Sequence, residues 1–255
     1  MATAEAKKIK SAIDTATDEF ICPITFGLPL DPVTAEDGRV YERAAIEDWF
    51  ATKAEAEVKS PITNELMGKK LLPAVHIRNN IKALVQSGAI SGDKANAWKK
   101  RLEEEKEVVE EQKRAERGDT IAMTTLAYWH RDGNKGLAKD RKKAFEWWKK
   151  AADLDHPPAL ASCGYYYVHD LGVAEKDVSR GLIMLGQAAA LGSDFACYKL
   201  GYGYAHGKYG VKKDPAEAAK WYRRMVGCKY NNCTQQVLAK VSEWLREHDA
   251  GEVTA

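Results

Sequence analysis

The sequence has few of the residues that build disulfide frameworks and metal sites. Cysteine occurs only five times in 255 residues, as Cys22, Cys163, Cys197, Cys228 and Cys233. An odd and irregularly spaced set is poor material for disulfide pairing, so we expect reduced thiols and a cytoplasmic or nuclear location. Cys228 and Cys233 do not form a CxxC motif and have no pair of histidines beside them, which favours free thiols over a metal site.

Long apolar runs and an excess of charge are missing as well. Charged residues make up 30% of the chain and leave a formal net charge of +2, which gives no indication of a nucleic-acid partner. No uncharged apolar run reaches the length that spans a membrane, and the N-terminus carries no apolar block of the signal type. We therefore expect no membrane partner, and we expect residues 1–17 to be a flexible leader.

Proline is concentrated in residues 18–88, which hold five of the eight prolines. Because proline fixes φ and removes a hydrogen-bond donor, loops are expected to dominate this segment, with short regular elements between them. Asp37-Gly38 predicts the turn of a small hairpin, and apolar residues at three-and-four spacing predict a helix over residues 42–51. A short strand at residues 71–73 and a closing helix that contains Ile81 and Val85 are expected to follow.

Two loops around a hairpin and a helix are the layout of a RING domain, but the zinc ligands of a RING are missing. Two zinc ions need eight Cys or His ligands, whereas this segment offers Cys22 and His76. We therefore predict a domain without metal, whose loops are held by hydrogen bonds, salt links and packing. Cys22 also has no His or Asp pattern around it, so we interpret it as a buried structural residue and not as a nucleophile.

The motifs of residues 18–88 resemble those of the U-box family in order and spacing. They are Phe20-Ile21-Cys22-Pro23-Ile24, Asp31-Pro32-Val33, Gly38-x-x-Tyr41-Glu42-Arg43, Ile46-x-x-Trp49, Ser60-Pro61-Ile62-Thr63 and Leu72-Pro73. This resemblance implies a small α+β domain that is arranged like a RING but lacks zinc. It also implies the function of that domain, which is to dock ubiquitin-conjugating enzymes.

The same resemblance implies which residues meet the conjugating enzyme. They are Ile24, Phe26, Trp49, Pro61 and Ile62. Lys59 is the implied cation that positions ubiquitin, and no catalytic residue or cofactor is expected. Apart from the resemblance, Ile24 and Phe26 stand in a proline-rich loop, where apolar side chains complete no helix or strand face and suggest an interface. The alternatives are that Ile24, Phe26 and part of Trp49 belong to the core and that Lys59 is only solvated.

Residues 89–118 are predicted to form a charged helical linker. Between Asp93 and Arg117, 16 of 25 residues are charged, eight of each sign, and the main apolar points are Trp98, Leu102 and Val109. This composition is typical of a solvated helix that acts as a spacer. The alternative is a coiled coil that joins two copies of the chain into a homodimer, although the segment holds fewer than three clean heptads.

Residues 119–230 contain a sequence repeat with a period of 37 residues. At two of its aligned positions the three copies hold Ala122, Ala159 and Ala196, and Asp140, Asp177 and Asp214. Each copy is predicted to hold two helices, the second of which begins at the aligned aspartate, because aspartate is a good N-cap. In the third copy Asp214-Pro215-Ala216-Glu217 also predicts a capping box that Glu217 completes.

These copies resemble Sel1-like repeats, which implies an α/α solenoid. The predicted repeats are residues 119–155, 156–192 and 193–230, followed by a capping helix at 231–248 and a tail at 249–255. The tyrosines of the first helices include Tyr165, Tyr166, Tyr167, Tyr202 and Tyr204. At least half of these tyrosines are expected in the core. The alternative is that the tyrosines line a concave binding surface. His130, His169 and His206 are predicted to lie at the surface near helix ends.

Together these patterns predict a multidomain, mainly α protein with a small α+β domain, a charged helix and a helical solenoid. The favoured function is that of a ubiquitin ligase of the RING type, without a covalent ubiquitin intermediate of its own. Its expected partners are a conjugating enzyme, ubiquitin, and a protein target or chaperone on the repeats. The alternative is a non-catalytic scaffold or a chaperone-associated adaptor with a vestigial U-box. A hydrolase is not expected, because no nucleophile and base occur together in the sequence.

Overall fold

The structure of the protein is a computed structural model that describes residues 17–53, 58–229 and 233–249. The chain divides into two compact units, Met1–Lys106 and Glu107–Ala255. The predicted leader lies outside the described residues except for Thr17, which is buried. No helix within the described ranges is long and apolar enough to cross a membrane.

The first unit contains a three-stranded sheet. Strand β1 (Pro32–Thr34) pairs antiparallel with β2 (Val40–Glu42) on one side and with β3 (Leu72–Pro73) on the other. Backbone hydrogen bonds close the predicted hairpin, from Ala35 N to Arg39 O and from Gly38 N to Ala35 O, both at 3.0 Å. Gly38 has a φ of 75°, the left-handed conformation for which glycine is suited. The predicted hairpin is therefore confirmed.

Two helices of the first unit match their predicted positions. Helix α1 (Arg43–Ala51) buries Ile46 and Phe50 in a cluster that also holds Cys22 and Tyr41. Helix α2 (Val75–Gln86) buries Ile81 and Val85 in a second cluster. Both helices place apolar residues on one face at the spacing read from the sequence, which is why these elements could be predicted locally.

Helix α3 (Gly92–Glu116) forms in the predicted helical linker and is mostly exposed or half-buried, but its first half packs against the first unit and is not a solvated spacer. Ala95 and Trp98 are buried in the second cluster of the first unit, and Leu102 packs against it. The Trp98 indole Nε1 donates a hydrogen bond of 3.1 Å to the carbonyl of Pro29. This packing arises because Ala95, Trp98 and Leu102 form a narrow apolar stripe at three-and-four spacing. The stripe is hard to recognise in the sequence because most residues around it are charged. Of the three apolar points noted in the sequence, Trp98 is buried, Leu102 is half-buried and Val109 is exposed.

The second unit is an array of helix pairs whose bounds recur every 37 residues. The pairs are α4 (Thr120–Asp132) with α5 (Arg141–Ala152), α6 (Pro157–His169) with α7 (Val178–Ala190), and α8 (Asp194–His206) with α9 (Pro215–Val226). Ala115, near the end of α3, joins the core of this unit. The predicted α/α repeat architecture is confirmed.

Each second helix is fixed by its aligned aspartate. The side chains of Asp140, Asp177 and Asp214 accept hydrogen bonds of 2.9 to 3.0 Å from backbone N–H groups in the first turn. The backbone N–H of each aspartate in turn donates to a carbonyl ten residues earlier, on the preceding first helix. The predicted N-caps are thus confirmed in all three copies, and each cap also anchors its helix to the partner helix.

The predicted capping box in the third copy does not form. The Asp214 backbone N–H donates to Tyr204 O at 2.9 Å, and the Glu217 carboxylate instead pairs with Lys220 Nζ at 2.9 Å. The box does not form because the Asp214 backbone N–H, which the Glu217 carboxylate would accept in a capping box, already donates its hydrogen bond to Tyr204 of the first helix. Asp214 alone therefore caps helix α9.

Small residues allow close approach between helices in the second unit. A Cβ atom on Gly164 would lie 2.7 Å from the carbonyl oxygen of Gly181, so neither glycine can carry a side chain without displacing a helix. Helix α10 (Gln235–Asp249) follows the third pair, buries Val241 and packs Trp244 against Tyr222 with ring centroids 5.0 Å apart. It corresponds to the predicted capping helix, whose first residues 231 and 232 lie outside the described residues.

Candidate functional site

The first loop presents Phe26 to solvent. Two backbone hydrogen bonds close this loop, from Cys22 N to Gly27 O at 2.9 Å and from Phe26 N to Cys22 O at 2.8 Å. Phe26 has a φ of 55°, which costs a non-glycine residue roughly 1 kcal/mol, and its side chain is 76% exposed. Ile24, by contrast, is half-buried and packs against the cluster around Cys22. The core alternative thus applies to part of Ile24 and not to Phe26.

The second loop presents Ile62 and Lys59. Its backbone is closed by hydrogen bonds from Ser60 N to Glu65 O and from Met67 N to Val58 O, at 2.9 and 3.0 Å. Ile62 is 49% exposed, Lys59 is exposed and Pro61 is half-buried. The Ser60 hydroxyl accepts hydrogen bonds of 3.1 Å from the N–H groups of Ile62 and Thr63. The exposed side chains therefore stand on a fixed turn.

Trp49 joins helix α1 to the second loop. Its indole Nε1 donates a hydrogen bond of 2.9 Å to the carbonyl oxygen of Lys59, and its half-buried ring packs against the cluster around Cys22. This arrangement accounts for the expectation that Trp49 is partly core. It also fixes the backbone of Lys59, while the Lys59 side chain makes no ion pair with any described residue.

Asp37 links the hairpin turn to the second loop. Its Oδ2 accepts hydrogen bonds from the Ser60 hydroxyl at 2.6 Å and from the Tyr41 hydroxyl at 2.7 Å, and its Oδ1 accepts from Arg39 N at 3.0 Å. Burial would raise the pKa of the Asp37 carboxyl, but these hydrogen bonds outweigh burial and hold that pKa below its ordinary value. Burial and the bond to Asp37 raise the pKa of Tyr41. The carboxylate thus links the hairpin turn to the second loop by hydrogen bonds.

Glu42 holds the chain that leaves the first loop. Its buried carboxylate accepts hydrogen bonds from Leu30 N at 2.9 Å and Asp31 N at 3.0 Å, and from the Arg101 guanidinium of helix α3. Arg101 Nη1 also donates to Leu28 O at 3.2 Å. Burial alone would raise the pKa of Glu42, but the bonds from Arg101, Leu30 and Asp31 lower it below its ordinary value.

Sequence reasoning missed the roles of Asp37, Glu42, Ser60 and Arg101. Glu42 and Ser60 stand inside the U-box motifs and Asp37 stands in the predicted hairpin turn, so the sequence marked their positions but not their hydrogen bonds. Arg101 lies 59 residues from Glu42 and carries no local signal that it pairs with a buried carboxylate. Its place in a segment rich in both charges made it look like one more solvated side chain.

The two candidate zinc ligands noted in the sequence, Cys22 and His76, lie in different surroundings. Cys22 is fully buried in its cluster, and His76 is exposed on helix α2. Across the described ranges, no three His, Cys, Asp or Glu side chains are grouped in a way that could hold a metal ion. The hydrogen-bonded carboxylates of Asp37 and Glu42 link the segments of this unit instead.

Comparison with protein families agrees with this geometry. The U-box domain model matches residues 16–89, and the Sel1 repeat model matches residues 120–156, 157–193 and 194–226. The chain carries a U-box followed by three Sel1 repeats. Both predicted resemblances are thereby confirmed.

Curated relatives are similar to the U-box part of the chain. The human WD repeat, SAM and U-box domain-containing protein 1 is 45% identical over 65 residues, which are 26% of this chain and 13% of that protein. The U-box domain-containing protein 43 of Arabidopsis thaliana is 38% identical over 80 residues, 30% of this chain and 10% of that protein. A putative E3 ubiquitin-protein ligase LIN of Medicago truncatula is 42% identical over 55 residues, 22% of this chain and 4% of that protein. The matched segment is thus a small part of each relative.

Solved structures are similar to the Sel1 part of the chain. A Sel1 repeat protein from Oxalobacter formigenes is 38% identical with a TM-score of 0.40, and the match covers 43% of each chain. A protective antigen of uropathogenic Escherichia coli that displays an SLR fold is 25% identical with a TM-score of 0.42, and the match covers 58% of this chain and 29% of that one.

The tyrosines of the Sel1 repeats divide between core and surface. Tyr166 is buried against Trp148 with ring centroids 4.9 Å apart, whereas Tyr165, Tyr167, Tyr202 and Tyr204 are half-buried. His169 and His206 are exposed at helix ends as predicted, but His130 is half-buried. Burial lowers the pKa of His130. Side chains of the first helices therefore form both the core and an accessible face.

The cysteines of the Sel1 repeats are free thiols. Burial raises the pKa of the Cys163 thiol to about 12 and, together with neighbouring groups, raises those of Cys197 and Cys233 to about 12. Cys197 Sγ and Cys228 Sγ lie 3.5 Å apart without a covalent bond. Cys163, Cys197 and Cys233 are thus not arranged as activated nucleophiles.

Proposed function

We propose that the protein is a ubiquitin ligase whose U-box recruits a ubiquitin-charged conjugating enzyme and whose Sel1 repeats hold the target protein. The observation that carries the proposal is the exposure of Phe26 and Ile62 on two loops that hydrogen bonds fix in place. A relative that matches this U-box is named a putative E3 ubiquitin-protein ligase. Exposed apolar side chains on a rigid support are typical of a protein-binding surface.

The proposed docking surface consists of Ile24, Phe26, Trp49, Pro61 and Ile62. Phe26 and Ile62 supply apolar area that water covers in the free protein, and full burial of such a side chain contributes about 1.5–3 kcal/mol. Ile24, Trp49 and Pro61 are half-buried, so they form the rigid floor beside the exposed pair. Because the loops are already fixed, binding orders few further side chains, which favours affinity.

Lys59 has the proposed role of positioning ubiquitin. Its backbone is held by the Trp49 indole and by a bridge to Leu66, whereas its side chain is exposed and makes no ion pair with a described residue. A cation on a fixed backbone can donate to carbonyl or carboxylate oxygens of two bound proteins at once. Lys59 would in this way hold the ubiquitin thioester in a reactive orientation.

The protein supplies no nucleophile in this proposal. Cys22 is fully buried, and a thiol with a pKa of about 12, such as Cys163, is protonated at neutral pH. Ubiquitin therefore passes from the conjugating enzyme to a target lysine in one transfer. The ligase accelerates that step by orientation, which can remove several kcal/mol of the barrier.

A reconstituted ubiquitination reaction tests this proposal. The full chain is incubated with ubiquitin, activating enzyme, ATP and a panel of conjugating enzymes, and chain formation is followed over time. We expect chains with at least one enzyme, and we expect Ile62→Ala to slow their formation at least about tenfold. Leu66→Ala is the matched control, because Leu66 is 70% exposed in the same loop but lies outside the proposed surface.

Two results would sink the proposal. One is the failure of every conjugating enzyme in the panel both to bind the folded protein and to form chains with it. The other is equal slowing by Ile62→Ala and Leu66→Ala, which would mean that apolar exposure on this loop matters without a specific surface. The scaffold or adaptor alternative predicts the first of these results.

A further inference from the structure

The first helices of the three Sel1 repeats place the same three register positions on one face. The positions are Ile121, Pro158 and Phe195; Thr125, Ser162 and Lys199; and Tyr128, Tyr165 and Tyr202. Along each helix they lie four and three residues apart, which is the spacing of one helix face. We call the surface formed by these nine residues the first-helix groove.

Two adjoining clefts lie along the first-helix groove. One has a volume of about 500 Å³ and is lined by Tyr128, Pro158, Ser162 and Phe195 among others. The second has a volume of about 420 Å³, is lined by Ile121 and Thr125, and shares Tyr128 and Pro158 with the first. Because two lining residues are common to both, the clefts continue one into the other from Ile121 to Phe195.

Lys199 breaks the pattern of its register position, which holds a small hydroxyl residue in the other two repeats. Its Nζ lies over three aromatic rings, 4.3 Å from the centroid of Tyr165, 5.0 Å from that of Phe195 and 5.3 Å from that of Tyr198. Phe195 also lines the larger cleft, so the ammonium lies beside the third-repeat end of that cleft, next to a ring that lines it. The third repeat thus has a half-buried cation at the register position where the first two repeats have Thr and Ser.

The Lys199 ammonium has no carboxylate partner among the described residues, and no described side chain or backbone group forms a hydrogen bond with it. Ring faces attract the charge but accept none of its three N–H donors in the way an oxygen does. Burial lowers the pKa of Lys199, in keeping with a cation whose lost hydration is only partly replaced. This end of the groove therefore carries uncompensated positive charge and unused donors.

The larger cleft also holds an ion pair, at the C-terminal end of helix α4, whose charges balance. Arg131 lies with its guanidinium carbon 4.7 Å from the Tyr128 ring centroid, but its Nη2 pairs with Asp132 Oδ2 at 2.6 Å. Both residues line the larger cleft, as does Asn134, whose side-chain amide makes no hydrogen bond within the described ranges. An amide of this kind can bond both the N–H and the C=O of a peptide backbone.

We propose that the first-helix groove binds an extended segment of the target protein and that an Asp or Glu side chain of this segment pairs with Lys199. The inference rests on the proposed function, in which the repeats hold the target, and it adds the chemistry by which the target is chosen. Ile121, which is 64% exposed, and the rings of Tyr128 and Phe195 supply apolar contacts along the segment. Helices packed about 10 Å apart give a groove of about 20 Å, which about six extended residues would span.

The test is a selection from random 12-residue peptides displayed on phage, with the immobilised full chain as bait. We expect wild type to enrich peptides that carry Asp or Glu at one fixed position beside apolar residues, and Lys199→Glu to lose that preference. Lys150→Glu is the matched control, because Lys150 Nζ lies 4.0 Å from the Trp147 ring centroid but stands exposed on a second helix. An enriched peptide, labelled and titrated by fluorescence anisotropy, should bind Lys199→Gln about tenfold more weakly than wild type.

The outcomes separate this inference from the ligase proposal. The inference is overturned if wild type enriches nothing, if it enriches peptides without acidic residues, or if Lys199→Glu keeps the acidic preference. Thermal unfolding of each variant shows whether lost binding reflects lost folding. Ubiquitin discharge to free lysine, measured in parallel, should be the same for wild type and Lys199→Glu. If discharge is normal without an acidic peptide preference, only the groove inference fails; a peptide preference without discharge defeats only the ligase proposal.

Discussion

Arg101 of helix α3 donates to the buried carboxylate of Glu42, which also accepts the backbone N–H groups of Leu30 and Asp31. The pair joins a helix that follows the U-box match to the chain that leaves the first loop. Trp98 adds a second link through Pro29 O. The first half of helix α3 is thereby part of the structural unit that presents Phe26.

Removal of Arg101 should destabilise the U-box unit. Arg101→Ala leaves the Glu42 carboxylate buried without its cation, and loss of a charged hydrogen bond of this kind costs about 2 kcal/mol. Urea unfolding followed by tryptophan fluorescence measures the change. Arg78→Ala is the control, because the Arg78–Glu105 pair also joins helix α3 but is about one-third exposed on both sides. That variant should lose no more than about 1 kcal/mol. Equal losses from the two variants would show that the burial of Glu42 has no special weight.

Stability of the U-box unit should fall in acid. Asp37 and Glu42 have pKa values below their ordinary ones in the folded protein, so their ionised forms stabilise the fold above the unfolded pKa values of about 3.9 and 4.3. As the pH falls below about 4 and through the folded pKa values, this contribution is lost. Urea titrations at a series of pH values should show the decline. Glu42→Gln should make it less steep, and an unchanged slope in that variant would contradict the assignment to Glu42.

The aspartate caps of the repeats should matter more than the glutamate of the predicted capping box. Asp214→Ala removes the acceptor for the Glu217 N–H and should lower the free energy of unfolding by about 1 kcal/mol. Glu217→Ala removes only an exposed pair with Lys220 and should change it by less than about 0.5 kcal/mol. Thermal unfolding of the two variants measures both. A larger loss from Glu217→Ala would indicate that the capping box forms in solution.

Lys59 should act on ubiquitin transfer more than on recruitment. Because the Lys59 side chain is exposed and its backbone is held by Trp49, Lys59→Ala should leave the fold intact. We expect the rate of discharge to fall about tenfold at saturating ligase, while the affinity for the uncharged conjugating enzyme changes less than about threefold. Single-turnover kinetics and a binding titration give the two numbers. Loss of affinity equal to the loss of rate would make Lys59 a docking residue instead.

Local patterns in the sequence account for most of the fold. The Asp37-Gly38 turn, the helices that carry Ile46 and Ile81, and the three aspartate caps each depend on residues close in the chain, and all appear where predicted. The 37-residue register works for the same reason, since each repeat is one helix pair whose signals recur. The loop argument indicated Ile24 and Phe26, whereas Trp49, Pro61, Ile62 and Lys59 came from the family resemblance, because periodicity does not reveal which loop residues are exposed.

Contacts between distant segments could not be predicted. The partners Arg101 and Glu42 are 59 residues apart in the chain, and Ser60 and Asp37 are 23 residues apart. No local spacing pattern therefore predicts these two contacts. The stripe of Ala95, Trp98 and Leu102 was present in the sequence but was outweighed by the 16 charged residues around it. The capping box failed for a related reason: a tertiary hydrogen bond to Tyr204 had already taken the donor.

The most direct test of the ligase assignment is single-turnover discharge of ubiquitin from a conjugating enzyme to free lysine, compared between wild type and Phe26→Ala. Phe26 is 76% exposed, so its removal should not unfold the protein, and Val75→Ala, with Val75 61% exposed on helix α2, is the matched control. We predict that wild type and Val75→Ala accelerate discharge from at least one conjugating enzyme and that Phe26→Ala loses at least about tenfold of this acceleration. Discharge by Phe26→Ala at the wild-type rate, or no acceleration by wild type with any enzyme, would contradict the assignment.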